Sequence, residues 1–529
     1  MCIRDREATF DLFVRRLPSQ RNFLLAVGLE TALDLLENLR FAGEDLDYLA
    51  GTGIFEPGFL EVLERFRFSG DLDAMAEGSI STRQLMEEHL ARLQRLNPGL
   101  NAAIEIFEYQ ALAEAAAPRP GPLSGLPVSV KETFGLQGET ITAGSLRMQP
   151  LHAHRDAAAV ARLKAAGAIV LARGNVPEFA MAAETDNLRY GRTNNPLAVE
   201  RTCGGSSGGD AALVASGCVA AGLGNDILGS IRIPASFCGI VGFKPASAAV
   251  DKRDSWPDLE GLFTDSWLAA GPLTRSVRDA RLFYRVLSND PLASPLPVDG
   301  CRLILPVDFP LGYRDAAIPR ALAAAEKGLL DAGMRPARIA IGDVRRWHNT
   351  TARYLAWELM PVLEKGLAGP GGERFSVWRE GLARLRVRGQ VHNTVYRLLS
   401  LGRLLRYRRP ASARAAVALL EAARVSVRHQ LGRDGVMLLP TLGLLAPRHG
   451  AMNRLSLRPG ANPLLTPLML CNYLDLPAIS VPAWRYRDDR SGLVPGIMLV
   501  VSPGAEGLLF DAAERLEEAV GHTAAGSDF

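Results

Sequence analysis

Cysteine and histidine are scarce in this sequence, and neither is spaced like a metal site. Among 529 residues there are six cysteines and eight histidines, with no CxxC pair and no cysteine at ligand spacing from a histidine. Zinc modules and disulfide frameworks both depend on such spacings, so we expect neither. Reduced, buried thiols in a cytoplasmic protein fit the pattern better.

Long apolar runs and an excess of one charge are also missing. No window approaches the roughly 18 apolar residues that a membrane span needs, and the first residues, MCIRDREATFDLF, carry charge where a signal peptide needs an apolar run. The formal net charge is only +3, so no overall field favours nucleic acid. The composition is 48% hydrophobic, which permits a large core. We expect a cytoplasmic protein with no nucleic-acid partner and no membrane association.

Helical and strand patterns alternate along the chain and predict an α/β protein. Ser81, followed three residues later by Gln84, forms a capping box, which is a helix start signal. Residues 127–131 (PVSVK) form a short apolar strand, and a helix capped by Asp156 precedes a buried strand at 168–172. The order of helix then strand favours a mostly parallel sheet between helices.

The strongest chemical signal is a glycine-rich, serine-containing stretch at 203–235. Glycines flank Ser206 and Ser207, so the backbone there can approach a partner closely. Ser230 follows 24 residues after Ser206. A serine hydroxyl attacks well only when a base takes its proton and amide N–H groups stabilise the oxyanion. Four consecutive amides are placed to supply these donors: Ile227, Leu228, Gly229 and Ser230.

A lysine is the candidate base, because no histidine lies near these serines in the sequence. Burial lowers the pKa of a lysine towards neutrality, and Lys131 ends the apolar strand. A plain loop or a phosphate cradle explains the glycines equally well, although the P-loop pattern GxxxxGK[ST] is absent. The residues alone leave this choice open.

A series of motifs resembles the amidase signature family in order and spacing. The motifs are GLPVSVKE (125–132), RGNVPEFA (173–180), YGRTNNP (190–196), GGSSGG (204–209), GSIRIPASFCGIVGFKP (229–245), GPLTRSVRDA (271–280), DGVMLLPT (434–441), NYLDLPAISVP (472–482) and VPGIMLVVSPGAEGLLFDAAERLEEA (494–519). The similarity runs from about residue 78 to about residue 521. It implies an α/β fold with a large mixed β-sheet sandwiched between helical layers. It also implies a serine amidohydrolase that cleaves a linear carboxylic amide through an acyl-enzyme, with no cofactor and no metal.

The resemblance also implies roles for individual residues. Lys131 would be the base, Ser206, preceded by a cis peptide bond, would relay the proton, and Ser230 would attack. Three further residues match supporting positions and two match positions that line the acyl pocket: Ser207, Asp226 and Arg232, and Ala180 and Ala182.

Three positions depart from the family pattern. Leu228 stands where relatives usually have a second glycine, Glu132 where aspartate is usual, and Gly174 where threonine is usual. If position 228 requires a positive φ, leucine strains the oxyanion loop; otherwise leucine only narrows the pocket. All three triad positions are filled, so we expect activity rather than a pseudo-enzyme.

The first part of the chain resembles a different family. Residues 8–78 are similar to the N-terminal segment of nicotinate phosphoribosyltransferase, and MCIRDR before them fits neither family. We expect residues 1–71 to be a truncated fragment without activity, forming a short appendage, and residues 72–529 to form the amidase domain. A true fusion would usually carry a complete domain, so a misassembled reading frame is favoured, with a real fusion left open.

Two other features have ordinary interpretations. Residues 321–430 are mainly helical, and ten arginines fall in 379–414 against one acid, Glu380. A membrane-surface helix is conceivable, but a solvated helix is favoured. His152 and His154 lack a third ligand and are interpreted as loop residues.

Other functions and partners stay open at this point. A tRNA-dependent amidotransferase A-type subunit shares the signature, but its relatives read GSIRQPA, whereas Ile233 occupies the glutamine position here. Nicotinate phosphoribosyltransferase activity is supported only by the N-terminal fragment. We expect a small-molecule amide substrate, whose identity the sequence does not specify; a homodimer is left open.

Overall fold

A computed structural model of the protein describes residues 68–288, 297–368, 375–385, 389–456 and 463–521. The predicted appendage at 1–71 therefore lies almost entirely outside the described residues. Within the described ranges, no helix is long and apolar enough to cross a membrane.

Strands and helices alternate through most of the described chain. The strands are β1 (Ala103–Ile106), β2 (Pro127–Lys131), β3 (Thr140–Ile141), β4 (Leu151–His152), β5 (Ile169–Gly174), β6 (Asp186–Asn187), β7 (Gly191–Arg192), β8 (Asn194–Asn195), β9 (Ala198–Thr202), β10 (Ala221–Asp226), β11 (Val241–Lys244), β12 (Ala269–Thr274), β13 (Arg302–Pro306), β14 (Arg335–Ile339), β15 (Gly435–Pro440), β16 (Ala478–Pro482) and β17 (Gly496–Val500). The helices are α1 (Phe68–Ala76), α2 (Thr82–Leu100), α3 (Glu108–Ala116), α4 (Ala158–Ala165), α5 (Gly208–Ala215), α6 (Arg232–Cys238), α7 (Val277–Leu287), α8 (Ala317–Asp331), α9 (Val344–Gly366), α10 (Val377–Leu385), α11 (Asn393–Leu405), α12 (Pro410–Leu431), α13 (Ala451–Ser456), α14 (Thr466–Tyr473) and α15 (Glu506–Val520).

Eleven of these strands form one large mixed sheet, in the order β1-β5-β2-β10-β12-β11-β16-β17-β15-β13-β14. Six neighbouring pairs are antiparallel and four are parallel. The residue pattern's prediction of a mostly parallel sheet is wrong, whereas the mixed sheet implied by the family resemblance is confirmed. A parallel neighbour needs a long crossover, usually a helix. β16 and β17 are joined by a short connection containing only a 3₁₀ turn (Trp484–Tyr486), so they pair antiparallel.

The sheet is covered by helices on both faces. Every residue of β17 is buried, and successive residues belong to different apolar clusters. Leu499 packs in a cluster with Leu509 of α15, and Val500 packs in a cluster with Leu420 of α12. Full burial of one such side chain stabilises the fold by about 1.5–3 kcal/mol. The predicted sandwich of a sheet between helical layers is therefore confirmed.

Most helix starts follow the sequence signals, with one exception. The capping box is present: the Gln84 N–H donates to Ser81 Oγ (3.2 Å), and the Ser81 N–H donates to Gln84 Oε1 (3.0 Å). Asp156 is not the cap of α4, because Ala157 holds that position. Its carboxylate instead accepts from the Gln137 N–H and from Lys164.

Candidate active site

Two parallel strands bring the predicted catalytic segments to one edge of the sheet. β2 ends at Lys131, and β10 pairs with it in parallel, with Val130 opposite Leu223. Because the carboxyl ends of parallel neighbours lie at the same edge, the end of β10 lies beside Lys131. The loop that carries Ser206 leads into α5, and the loop that carries Ser230 leads into α6.

Lys131 is completely buried and its ammonium group has polar neighbours. Nζ lies 2.7 Å from Ser206 Oγ, 2.6 Å from Asn225 Oδ1 and 3.5 Å from the Asn225 carbonyl oxygen. Burial lowers the pKa of Lys131 to about 7, although the carboxylates of Asp210, Asp226 and Glu132 act in the opposite direction. A lysine in this environment is neutral for a large part of the time near neutral pH and can accept a proton.

Ser206 is preceded by a cis peptide bond, as the resemblance implies, and is almost fully buried. The glycine before it is required by close packing. A Cβ on Gly205 would lie 2.8 Å from the Ala182 carbonyl oxygen and 3.0 Å from backbone atoms of Glu184. The serine loop is therefore packed directly against the segment that carries Ala182.

Ser230 lies beside the serine loop and follows a glycine that no other residue replaces easily. Its carbonyl oxygen accepts from the Ser207 N–H at 3.1 Å, and its side chain is 8% exposed. Gly229 has φ +109°, and a Cβ there would come within 1.9 Å of Leu468 Cδ2. Both the backbone conformation and the packing therefore require glycine.

A buried ion pair fixes the loop that leads to Ser230. Asp226 accepts from Arg232 Nε at 3.0 Å and from Arg232 Nη2 at 3.1 Å, and neither side chain is exposed. Asn472 Nδ2 donates to Asp226 Oδ1 at 2.9 Å, and Arg232 Nη2 donates to Asn472 Oδ1 at 2.6 Å. Burial by itself would raise the pKa of Asp226, but the Arg232 guanidinium holds it well below its usual range. Asp226 is therefore a permanent carboxylate.

That carboxylate also binds backbone amides of the same loop, which changes the expected set of oxyanion donors. The Gly229 N–H donates to Asp226 Oδ1 at 2.6 Å, and the Ile231 N–H donates to Asp226 Oδ2 at 3.1 Å. An amide hydrogen directed at a carboxylate is not available to a substrate oxygen. Gly229 is therefore removed from the four amides expected to form the oxyanion site.

The structure also decides between the two consequences expected of Leu228. The described non-glycine residues with positive φ are Asn101, Ala143, Phe179, Ala180, Asp254 and Asp475, so Leu228 does not have the conformation that would strain it. Its half-buried side chain packs against the cluster that contains Ile227.

The other two departures from the family pattern are explained by their neighbours. A Cβ on Gly174 would lie 2.4 Å from Asp210 Oδ2, so the space of the usual threonine is occupied by Asp210. Glu132 is buried, and its Oε1 accepts from the N–H and the hydroxyl of Thr142 at 2.5 and 2.8 Å. Burial raises the pKa of Glu132. Both residues thus belong to the packing around β2.

The two expected pocket residues lie on a loop with unusual backbone conformations. Ala180 is buried and has φ +55°, and Phe179 before it has φ +56°. The Phe179 ring packs in a cluster with Leu363 of α9 and Leu399 of α11. Ala182 is half-buried. The helical region thus contacts the segment that the resemblance assigns to the pocket.

Three residues near the candidate site were not recognised from the sequence. They are Asn225, which contacts Lys131; Asp210, whose Oδ1 accepts from Ser129 Oγ at 2.8 Å; and Asn472, which binds Asp226. Burial raises the pKa of Asp210 to about 7. A polar Asn-Asp pair at the end of the apolar strand β10 was a signal that could have identified Asn225. Ser207, which was expected to support the site, donates through Oγ to the Asn225 carbonyl oxygen at 3.3 Å.

The histidines that could suggest a metal are exposed. His152 lies in the two-stranded ribbon of β3 and β4, and His154 follows it. Among the described residues, no group of three histidine, cysteine, aspartate or glutamate side chains is arranged to hold a metal ion.

Comparison with known families matches two parts of the chain. The sequence model of the amidase family matches residues 84–510. The model of the nicotinate phosphoribosyltransferase (NAPRTase) N-terminal domain matches residues 2–90, which confirms the second resemblance.

Individual relatives cover nearly the whole matched region. The A-type subunit of glutamyl-tRNA(Gln) amidotransferase from Anaeromyxobacter sp. (strain K) is 32% identical over 484 residues, which are 84% of this chain and 94% of that protein. Fatty-acid amide hydrolase 2-B of Danio rerio is 29% identical over 485 residues, 85% of this chain and 88% of that one. A crystal structure of an amidase superposes with a TM-score of 0.72 at 28% identity, covering 86% of this chain and all of the other.

Proposed function

Because this chain belongs to the amidase family, we propose that it is a serine amidohydrolase in which Ser230, Ser206 and Lys131 act as a triad. The observation that carries the proposal is the 2.7 Å contact between Lys131 Nζ and Ser206 Oγ, in a setting where both side chains are buried. A buried lysine beside a serine hydroxyl is an arrangement suited to proton transfer.

The proposed reaction begins with attack of Ser230 Oγ on the amide carbonyl carbon. The proton of Ser230 passes to Ser206 as the proton of Ser206 passes to neutral Lys131. The relay then runs in reverse and protonates the leaving amine, so that the C–N bond breaks and an ester to Ser230 remains. Water attacks that ester through the same relay, which releases the carboxylic acid and restores the free enzyme. Each proton is assigned to a side chain of this chain or to water, so the proposal includes no metal and no cofactor.

The oxyanion of the tetrahedral intermediate would bind to the amides of Ile227, Leu228 and Ser230. The fixed conformation of this loop supports that assignment, because Asp226 holds Gly229 and Ile231 on either side of Ser230. Preorganised donors stabilise the developing charge without having to reorient during the reaction.

The substrate is proposed to be a small molecule with a linear amide, with its acyl group beside Ala180 and Ala182. Apolar neighbours support an apolar acyl group: Phe179 is fully buried beside this loop, and its ring lies 5.9 Å from that of Trp256. Amide hydrolysis is also what the name of the Danio rerio relative describes.

The test is a panel of linear, cyclic and aryl amides and the matching esters, with purified protein. We expect hydrolysis of at least one amide by the wild type and none by Ser230→Ala. Equal turnover by Ser230→Ala would refute the proposal, and turnover of cyclic amides alone would refute the preference for linear ones.

A second candidate is the A-type subunit of a tRNA-dependent amidotransferase, which the 32% identity to the Anaeromyxobacter protein favours. Ile233 argues against it. This side chain is 5% exposed and packs in an apolar cluster with Phe237 and Leu468, where a glutamine amide would need hydrogen-bond partners. Stable co-purification with partner subunits, together with glutamine-dependent amide transfer, would favour this candidate over the hydrolase.

A further inference from the structure

Asn225 presents two oxygen atoms to the candidate base. The residue lies near the end of β10, and Lys131 Nζ is 2.6 Å from its side-chain oxygen and 3.5 Å from its carbonyl oxygen. Neither oxygen carries a hydrogen, so both can only accept. The third neighbour of Nζ, the Ser206 hydroxyl, can either donate or accept.

The orientation of the Asn225 amide is fixed by its other end. Nδ2 lies 3.2 Å from the Trp256 carbonyl oxygen and 3.1 Å from Thr133 Oγ1. A carbonyl oxygen only accepts, so the NH₂ group must face Trp256. A flipped amide would place NH₂ against the lysine and oxygen against a carbonyl. The side-chain oxygen therefore faces Lys131.

This geometry distinguishes the hydrogens of the amine from its lone pair. A neutral amine has two hydrogens and one lone pair, and the two acceptor oxygens of Asn225 take the hydrogens. The lone pair is then left for the Ser206 hydroxyl. We propose that Asn225 is a positioning residue that directs the lone pair of Lys131 at the Ser206 proton; this inference rests on the function proposed above.

The charged groups around Lys131 act differently from Asn225. Asp210 from α5, Asp226 from β10 and Glu132 from the segment after β2 influence Lys131 through their charge. Their hydrogen bonds join them to Ser129, to Arg232 and to Thr142, respectively. An uncharged amide accepts the amine hydrogens without adding a negative charge at contact distance. A carboxylate at position 225 would instead hold the lysine as an ammonium, which cannot act as a base.

The experiment compares Asn225→Asp and Asn225→Ala with the wild type, using kcat and KM measured across pH. For Asn225→Asp we expect the rising limb of kcat/KM to move about 1–3 pH units to higher pH, the usual effect of an opposite charge at contact. For Asn225→Ala we expect kcat to fall roughly tenfold to a hundredfold, a fraction of the range for general-base catalysis, with little change in KM.

The matched control is Asn195→Asp. Asn195 is also a buried asparagine whose Nδ2 donates to two backbone carbonyls, those of Thr202 and Phe237. We expect this variant to have a lower Tm and an unchanged pH midpoint. A wild-type midpoint in folded Asn225→Asp would overturn the inference. If that variant does not fold, unchanged kcat in Asn225→Ala or Asn225→Ser would overturn it.

The outcomes separate this inference from the proposed function. If Ser230→Ala is inactive while Asn225→Asp and Asn225→Ala behave like the wild type, only the positioning role fails. If Ser230→Ala keeps full activity, the proposed function itself fails.

Discussion

The loop that carries Ser230 and the loop that carries Ala180 are held in different ways. The Ser230 loop is fixed by Asp226, which binds two amides of the loop and the guanidinium of Arg232. All of this lies in the core and depends on residues close together in sequence. The Ala180 loop is instead connected to the helical region: Glu178 accepts from the Ser145 hydroxyl at 2.6 Å and from the His392 N–H at 2.5 Å.

The difference separates the proposed chemistry from the choice of substrate. The Ser230 loop is shaped largely by its own motif, so its geometry follows from local sequence. The Ala180 loop packs on α9 and α11, which lie roughly 200 residues further along the chain. Changes in those helices can therefore alter the pocket without moving Lys131 or Ser206.

The largest expected effect is on the proposed base. Lys131→Met keeps the approximate volume but removes the amine, so kcat/KM should fall at least about a hundredfold. In the wild type, activity should rise as pH increases through about 7, because Lys131 is protonated and unable to accept a proton below its pKa. The variant should lose that rise.

Lys327→Met is the control for this experiment. Lys327 is 75% exposed and pairs with Asp331 on the surface of α8, so its profile should match the wild type. A Lys131→Met enzyme with the wild-type pH profile would show that another group is the base.

Breaking the ion pair beneath the Ser230 loop should cost less activity than loss of the base, but more stability. Arg232→Met leaves Asp226 buried without its partner, and such changes lower the free energy of unfolding by about 3–5 kcal/mol. Arg515→Met removes an exposed pair with Glu518 and should cost about 0–1 kcal/mol. Denaturant unfolding measures both, and equal losses in the two variants would show that the buried pair does not fix the loop.

Changing the Ala180 loop should alter selectivity rather than the reaction itself. Ala182→Leu enlarges a half-buried side chain, so kcat/KM for bulky acyl groups should fall roughly tenfold to two-hundredfold relative to small ones. Labelling by a small fluorophosphonate should change less than about threefold. Ala411→Leu, at an exposed position of α12, should change neither quantity. Equal losses for small and bulky substrates would separate this loop from the acyl pocket.

The smallest effect is expected from removing residues 1–67. Asp71 is 2% exposed, and Leu72 packs against the largest apolar cluster, so α1 belongs to the folded body and the predicted boundary at 71/72 is moved upstream in the proposed truncation. We expect less than about a twofold change in kcat/KM and a similar Tm. Removing residues 1–81 also deletes α1 and the Ser81 cap, and should destabilise the protein by more than the roughly 1 kcal/mol of one cap. A tenfold loss on removing residues 1–67 would make the upstream segment integral to the amidase.

Local signals in the sequence were sufficient for some parts of the structure and not for others. The capping box at Ser81 and the strand ending at Lys131 depend on neighbouring residues, and both are present as predicted. The roles of Asn225 and Asp210 depend on partners 81 to 94 residues away along the chain. The sign of φ at Leu228 and the engagement of Gly229 by Asp226 are likewise set by tertiary contacts. The mixed sheet was misjudged from pattern because one helix–strand unit was generalised to strands joined by short connections.

The most direct test of the central claim is to locate the adduct of a fluorophosphonate probe by peptide mass spectrometry. The account predicts a single modified serine, Ser230, no adduct in Ser230→Ala, and slower labelling at the same residue in Ser206→Ala. Ser288→Ala, in a serine outside the proposed site, should be labelled like the wild type. An adduct on Ser206 or Ser207 in the wild type, or labelling of Ser230→Ala at the wild-type rate, would contradict the assignment of Ser230 as the nucleophile.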